Sequence, residues 1–171
     1  PVTASYIIAA VITAPAMIQL GVPDYAAHMF IFYYAVLSEV SPPTAVSPFA
    51  AAAITGANPY RTTLMAWKYT LPAFLVPFLF TMHAGGAALL LKGSWGTIAW
   101  TTVTAMAGLA ALAAGLTGWL LRKATWVERA LLVASGLALV YPGWLADVVG
   151  LGLLAVVLVA QRAVSNLTPR K

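Results

Sequence analysis

The chain has 171 residues, of which 62% are hydrophobic and 8% are charged, with a formal net charge of +5. A soluble domain with so few charged residues could not cover its surface, so the composition predicts an integral membrane protein. The nine Lys and Arg residues stand at the ends of apolar segments, which is typical of topology signals and argues against a nucleic-acid partner. The absence of cysteine excludes disulfides and cysteine-ligated metals within these residues.

The first predicted element is the uncharged apolar segment 3–20, which contains Pro15. Its length suits one arm of a re-entrant hairpin, or a tilted helix, better than a full crossing. Thr3 and Ser5 stand at its beginning, where Thr3 is a candidate helix N-cap. A capped N-terminus inside a membrane also favours a bound anion. Because the chain starts at Pro1 within an apolar segment, we expect a C-terminal piece of a longer polytopic protein.

A broken helix follows, predicted over residues 25–37 and 44–57. Each piece is too short to cross a membrane, whereas the two together make one interrupted crossing. Pro42 and Pro43 at the break lack an amide hydrogen, so the carbonyls before them lose their helical donors. Side chains that carry oxygen surround this break: Ser38, Glu39, Ser41 and Thr44.

Freed carbonyls and nearby hydroxyls are suitable ligands for sodium, and the ends of broken helices direct their dipoles at bound ions. The pattern therefore predicts an ion or substrate site at the break. Two alternatives stay open: an ordinary loop between two short spans, and a solvated role for Glu39. The candidate binding residues are Thr3, Ser5, Ser38, Glu39, Ser41, Pro42, Pro43 and Thr44, with Ser38, Ser41 and Thr44 as the possible sodium ligands.

The next predicted span covers residues 69–91 and has kinks at Pro72 and Pro77, which neighbouring helices can tolerate in lipid. The composition then changes from segments rich in Pro, Ser and Thr to segments rich in Ala, Leu, Val and Gly. We therefore predict two regions: a functional part over 1–91 and an accessory membrane part over 92–171.

The accessory part is predicted to begin with a transmembrane helix over 95–121, followed by a charged loop. Residues 130–160 are interrupted by the turn sequence YPGW, which predicts two short helices folded into a shallow hairpin. The positive-inside rule then places the loop and the C-terminus in the cytoplasm. Small residues on the first helix favour close packing: Ala107, Ala111, Gly115 and Gly118.

Two further polar residues have structural interpretations. His28 is expected to be a packed or interfacial histidine, and Asp147 is expected to cap a helix beside the turn. The sequence has no catalytic triad, paired catalytic carboxylates or phosphate loop, so we do not expect an enzyme. The fold class that these elements predict is an all-α polytopic membrane protein.

Residues 1–62, from PVTASY to NPYRT, resemble the end of the large membrane subunit of tripartite ATP-independent periplasmic (TRAP) transporters. The likeness extends through LPAFLVPFLF at 71–80. The segment 118–156 is similar to the C-terminal extension of the fused permease type, in which the small and large membrane subunits form one polypeptide. The family's Pro-Thr or Pro-Val-Thr hairpin tip and its break of Ser or Thr followed by Pro-Pro have counterparts at Pro1–Thr3 and Ser41–Pro43, whereas Glu39 is not part of the pattern.

The resemblance implies a sodium-coupled secondary transporter of the elevator type, built from inverted repeats, in a bacterial or archaeal inner membrane. A periplasmic binding protein, of the TAXI type for fused permeases, would deliver an organic anion, commonly a carboxylate. Residues 3–20 would be the second arm of a re-entrant hairpin with its tip at Pro1–Val2, and residues 25–57 would be the discontinuous helix. The missing N-terminal part of the permease and the lipid bilayer would be the other partners.

In the implied mechanism, sodium binds around Ser38–Thr44 and orders the break and the facing hairpin tip at Thr3 and Ser5. The substrate carboxylate then binds, and the transport domain moves across the membrane. One alternative is a proton-coupled carrier that uses Glu39 or His28 as a relay. Another is a membrane scaffold or assembly module without transport activity.

Overall fold

The computed structural model describes residues 2–141 and 143–167, with side chains through residue 163. Every element found there is helical, which confirms the predicted all-α class. The α-helices are α1 (Val2–Gln19), α2 (Asp24–Leu37), α3 (Val46–Thr55), α4 (Pro59–Thr70), α5 (Val76–Met82), α6 (Trp95–Thr117), α7 (Trp126–Val140) and α8 (Trp144–Leu167), and two 3-10 helices cover Leu71–Leu75 and Ala84–Leu90.

In the part of the chain that the structure describes, four helical segments are long and apolar enough to cross a membrane, as a polytopic membrane protein requires. They are Val2–Gln19, Pro59–Met82, Trp95–Thr117 and Trp144–Ala163. The chain separates into two compact units, residues 1–92 and 93–171.

In the first unit, α1 packs along α2, α2 packs on α5, and α3 packs on α4. Aromatic rings connect α2 to α5 and to the 3-10 helix before it. The centre of the Tyr34 ring lies 5.9 Å from that of Phe74, in the 3-10 helix, and 6.2 Å from that of Phe78, in α5. The Tyr34 hydroxyl also donates a hydrogen bond of 2.7 Å to the Phe74 carbonyl. This pairing fixes the first half of the broken helix against the span that follows it.

The span predicted over 69–91 is wrong at both boundaries. The helix begins at Pro59, where the Asn58 side chain accepts a hydrogen bond from the Arg61 amide at 3.0 Å. Asn at the N-cap followed by Pro at the first helical position strongly favours the start of a helix. The Asn58–Pro59 dipeptide therefore begins the span, in addition to ending the segment before it. The segment then continues through a 3-10 turn around Pro72 and ends at Met82.

The chain after Met82 folds back as a 3-10 helix on α5 rather than continuing the span. Gly86 makes this possible, because a Cβ atom there would lie 1.7 Å from the Leu79 carbonyl oxygen. No side chain fits at that separation, so the fold-back requires glycine.

The second unit consists of α6, α7 and α8, with α7 packed on both neighbours. Gly108, Ala111 and Gly115 are buried on the face of α6, which confirms close packing through small residues. The predicted stripe is partly wrong, because Ala107 is only half-buried and Gly118 ends the helix. The helix predicted to reach residue 121 thus stops at Thr117.

Helix α7 ends at Val140 and α8 begins at Trp144, so the helices are interrupted within the YPGW sequence, as predicted. The expectation of two short helices is wrong for α8, whose 24 residues span about 36 Å at 1.5 Å per residue. The Trp100 indole donates to the Asp147 carboxylate at one end of the unit, at 2.9 Å. Asp147 therefore bonds across to α6 instead of capping its own helix.

Candidate functional site

The centre of the candidate site is the break between α2 and α3. Helix α2 ends at Leu37, and the chain turns through residues 38–45 before α3 begins at Val46. Ala45, the last residue of the turn, is buried and adopts a left-handed conformation with φ 41°. The structure thus confirms that the helix is interrupted at the double proline.

Hydroxyl groups donate to carbonyls throughout this turn. The Thr44 hydroxyl donates to the Ser38 carbonyl at 2.5 Å and lies 3.3 Å from the Ser41 carbonyl. The Ser41 hydroxyl donates to the Leu37 carbonyl at 3.0 Å, and the Ser47 amide donates to the Glu39 carbonyl at 3.2 Å. The carbonyls that the prolines leave without helical donors are therefore bonded within the chain.

These hydrogen bonds use the hydroxyl protons and leave oxygen lone pairs for other contacts. Each hydroxyl at the break can therefore still accept a hydrogen bond or contact a cation. Among the described residues there is no group of three or more His, Asp and Glu side chains that could hold a metal ion. Cation ligands here would be hydroxyl and carbonyl oxygens.

An open groove of about 310 Å³ lies between α1 and α2. Ser5 and Thr13 line it from α1, and Tyr34 and Ser38 line it from the side of the break. The rest of the lining is apolar. The structure thus brings together two of the predicted binding residues, Ser5 and Ser38, which are far apart in the sequence.

Thr3 lines a different groove, of about 430 Å³, together with Tyr6 and His28. Residues two positions apart point to different sides of a helix, so Thr3 and Ser5 are separated although they are near neighbours in sequence. Thr3 also lies inside α1, one residue after its start, rather than at the N-cap. The predicted hairpin tip at Pro1 lies outside the described residues.

The other predicted residues stay at the turn itself. Pro42, Pro43 and Thr44 are exposed, and Glu39 and Ser41 are half-buried. The Glu39 carboxylate makes no hydrogen bond or ion pair with the residues that the structure describes, although its backbone carbonyl is bonded.

Sequence reasoning missed two polar residues next to His28. The Tyr6 hydroxyl lies 2.8 Å from His28 Nδ1, and Asp24 Oδ1 lies 3.4 Å from His28 Nε2. Asp24 and His28 are four residues apart on one helix, and this spacing in the sequence predicts a side-chain pair. The Tyr6 contact depends on how α1 docks on α2 and has no local signal. His28 is half-buried, which agrees with its predicted packing.

Residues 1–85 match the family model described as "Tripartite ATP-independent periplasmic transporter, DctM component". This match identifies residues 1–85 as a DctM-family region. The matched part contains the break and both grooves, so the candidate site lies within the DctM region. No curated protein and no solved structure matches the chain. The match supports a TRAP transporter permease, and this family generally works with a periplasmic binding protein.

Proposed function

We propose that the chain is the C-terminal portion of a fused-type TRAP permease that couples sodium entry to uptake of an organic anion. The substrate is a carboxylate delivered by a periplasmic binding protein of the TAXI type. The observation that supports this proposal is the groove that joins Ser5 of α1 to Ser38 at the helix break, inside the DctM region.

The break supplies the sodium ligands in this proposal. Ser38, Ser41 and Thr44 place hydroxyl and carbonyl oxygens within one short turn. Sodium prefers such neutral oxygen ligands, and discontinuous helices in secondary transporters present them near the middle of the membrane. A bound cation also offsets part of the electrostatic cost of bringing a carboxylate into a low-dielectric site.

The groove between α1 and α2 holds the substrate in this proposal. Ser5 and Thr13 carry hydroxyls on its wall, and neither makes a side-chain hydrogen bond to another described residue. Hydroxyl donors of this kind can bind a carboxylate, and the apolar lining suits a small organic chain. Sodium at the break and the anion in the groove would then be adjacent ligands of one transport site.

The test is sodium-dependent uptake by the full-length permease in proteoliposomes, with its binding protein present. Loss of the Ser41 and Thr44 oxygens in Ser41→Ala and Thr44→Ala should raise the half-saturating sodium concentration roughly 5- to 30-fold, the equivalent of about 1–2 kcal/mol. Thr55→Ala is the control, because the Thr55 hydroxyl makes a similar bond to its own helix, at Ala51, away from the turn. Unchanged sodium dependence in both site variants would contradict the assignment.

A proton-coupled carrier is the second candidate, because His28 contacts both Tyr6 and Asp24 in the DctM region. The same proteoliposomes distinguish the two functions. Uptake that follows an imposed pH gradient without sodium, and that is lost in Glu39→Gln or His28→Gln, would favour proton coupling.

We also propose that this permease lies in the inner membrane, with residues 118–125 and the C-terminus on the cytoplasmic side. The support is the cluster of basic residues at this end of the second unit and the positive-inside rule.

A further inference from the structure

The connection between α6 and α7 is a tightly bonded turn. The Ala124 amide donates to the Gly118 carbonyl at 2.9 Å, and the Leu121 amide donates to the Gln161 side chain of α8 at 3.1 Å. Thr125 and Glu128 close the turn with a reciprocal capping box. The side chains of this connection are therefore presented on a fixed frame.

Basic side chains outnumber acidic ones at this end of the unit. Two of them are used internally: Arg122 pairs with Glu128 at 2.7 Å, and Arg129 donates to the carbonyls at the end of α6. Lys123 and Arg162 are exposed, and neither side chain makes a hydrogen bond or ion pair with a described residue. The bond between Leu121 and Gln161 places Arg162 in the same layer as the connection.

Large aromatic side chains flank these cations. Trp119 is 61% exposed and Trp126 is 81% exposed, with the Arg129 guanidinium 4.8 Å from the Trp126 ring centre. Exposed tryptophans next to basic residues are typical of the level of lipid headgroups. A soluble anion would gain nothing from these apolar surfaces, whereas a lipid contacts both the rings and the charges.

Two donors at this end are buried and have no hydrogen-bond acceptor among the described residues. They are the Nε atom of Arg122 and the Nε2 atom of Gln161. A water molecule, or a water that bridges to a phosphate oxygen of a ligand, would satisfy such a donor.

From these observations we infer that the α6–α7 connection is a binding site for the headgroup of an anionic phospholipid. Lys123 and Arg162 attract the phosphate, and Trp119 and Trp126 lie among the glycerol and upper acyl regions. The site is independent of the transport site in the first unit and does not rest on the proposed function.

The test is native mass spectrometry of the full-length permease titrated with dioleoyl phosphatidylglycerol or with dioleoyl phosphatidylcholine, which has no net charge. The wild-type protein should retain phosphatidylglycerol more tightly. Lys123→Gln with Arg162→Gln should weaken its binding about fivefold for each cation removed and leave phosphatidylcholine binding unchanged. The control, Arg61→Gln with Lys68→Gln, removes two cations from the first unit and should keep the preference.

Three outcomes would overturn the inference. The first is equal retention of the two lipids by the wild-type protein, and the second is an equal loss in the test and control variants. The third is displacement of phosphatidylglycerol by free glycerol phosphate at the same concentration, which would indicate a site for a soluble anion. Thermal unfolding of each variant confirms that the comparison is between folded proteins.

Discussion

Glu128 shows how one carboxylate organises the end of the second unit. The Thr125 amide, at 2.7 Å, is the main cause that holds the pKa of this carboxyl below its ordinary value. Partial burial works in the opposite direction, and the Thr125 side chain, the Gln161 amide and the Arg122 guanidinium add to the lowering. The Gln161 side-chain nitrogen contributes to the lowered pKa although it makes no hydrogen bond with a described residue.

Replacing Glu128 with glutamine should therefore give a pH-dependent loss of stability. The folded-state pKa lies below the ordinary value of 4.5, so the charge stabilises the fold above pH 4.5, and this contribution is lost as the pH falls through the folded-state pKa. Glu128→Gln keeps the capping geometry and should cost at most about 1 kcal/mol at neutral pH. Thermal unfolding at pH 7 and at lower pH checks this, with Lys123→Gln as the control. A difference from wild type that does not shrink in acid would contradict it.

At the residue scale, the sequence predicted the groups of the break better than it predicted their partners. Ser38, Ser41 and Thr44 are contiguous, so a local argument was enough to place their oxygens together. The meeting of Ser5 with Ser38 depends on helix docking, as does the contact of Tyr6 with His28. Whether these residues bind sodium and substrate stays a prediction.

At the scale of elements, the structure confirms that the predicted segments are helical, but several helices begin or end at other residues than predicted. Hydropathy predicts the span after the break at 69–91, because the charged residues Arg61 and Lys68 interrupt the apolar pattern before it. The helix instead starts at the Asn58 cap and contains both cations, Arg61 in its first turn and Lys68 in its last. Helix α8 was underestimated for the related reason that a turn signal marks where a helix begins but not how far it continues.

Close packing of α6 on α7 gives a prediction that distinguishes two helical glycines. A Cβ atom at Gly136 would lie 2.4 Å from Leu112 Cγ and 2.8 Å from the Gly108 carbonyl oxygen, so Gly136→Ala should destabilise the protein by about 1–3 kcal/mol. Gly152 on α8 has no atom within 4 Å of such a position, so Gly152→Ala should be neutral or stabilising by up to about 1 kcal/mol. Thermal unfolding of the purified permease measures both, and equal melting temperatures would contradict the packing.

At the scale of the whole molecule, the chain divides into units at residues 92 and 93, each with its own helix packing. The second unit has two distinct ends. Trp100 and Asp147 meet at one end, and Leu121 and Gln161 meet at the other. The roles assigned to the two regions, transport and accessory extension, stay predictions.

This arrangement predicts which positions share a side of the membrane. These 171 residues contain no cysteine, so single cysteines can be introduced into a permease freed of any others. Lys123→Cys and Arg162→Cys should react with a membrane-impermeant maleimide from the same side, and Gly143→Cys should react from the opposite side. Intact cells and inverted vesicles provide the comparison. Labelling of all three from one side would show that α8 does not cross.

The Thr44 hydroxyl has a thermodynamic consequence for any ligand of the break. Because it joins the Ser38 carbonyl across the turn, the loop is closed by a bond of its own. Binding of a ligand at this turn should therefore order few residues. Binding that is coupled to folding of the site would instead bury a large surface. Calorimetry of sodium binding to the permease is therefore expected to show a heat-capacity change close to zero at this turn. A large negative heat-capacity change would contradict this expectation and would indicate that sodium binding orders another part of the transporter.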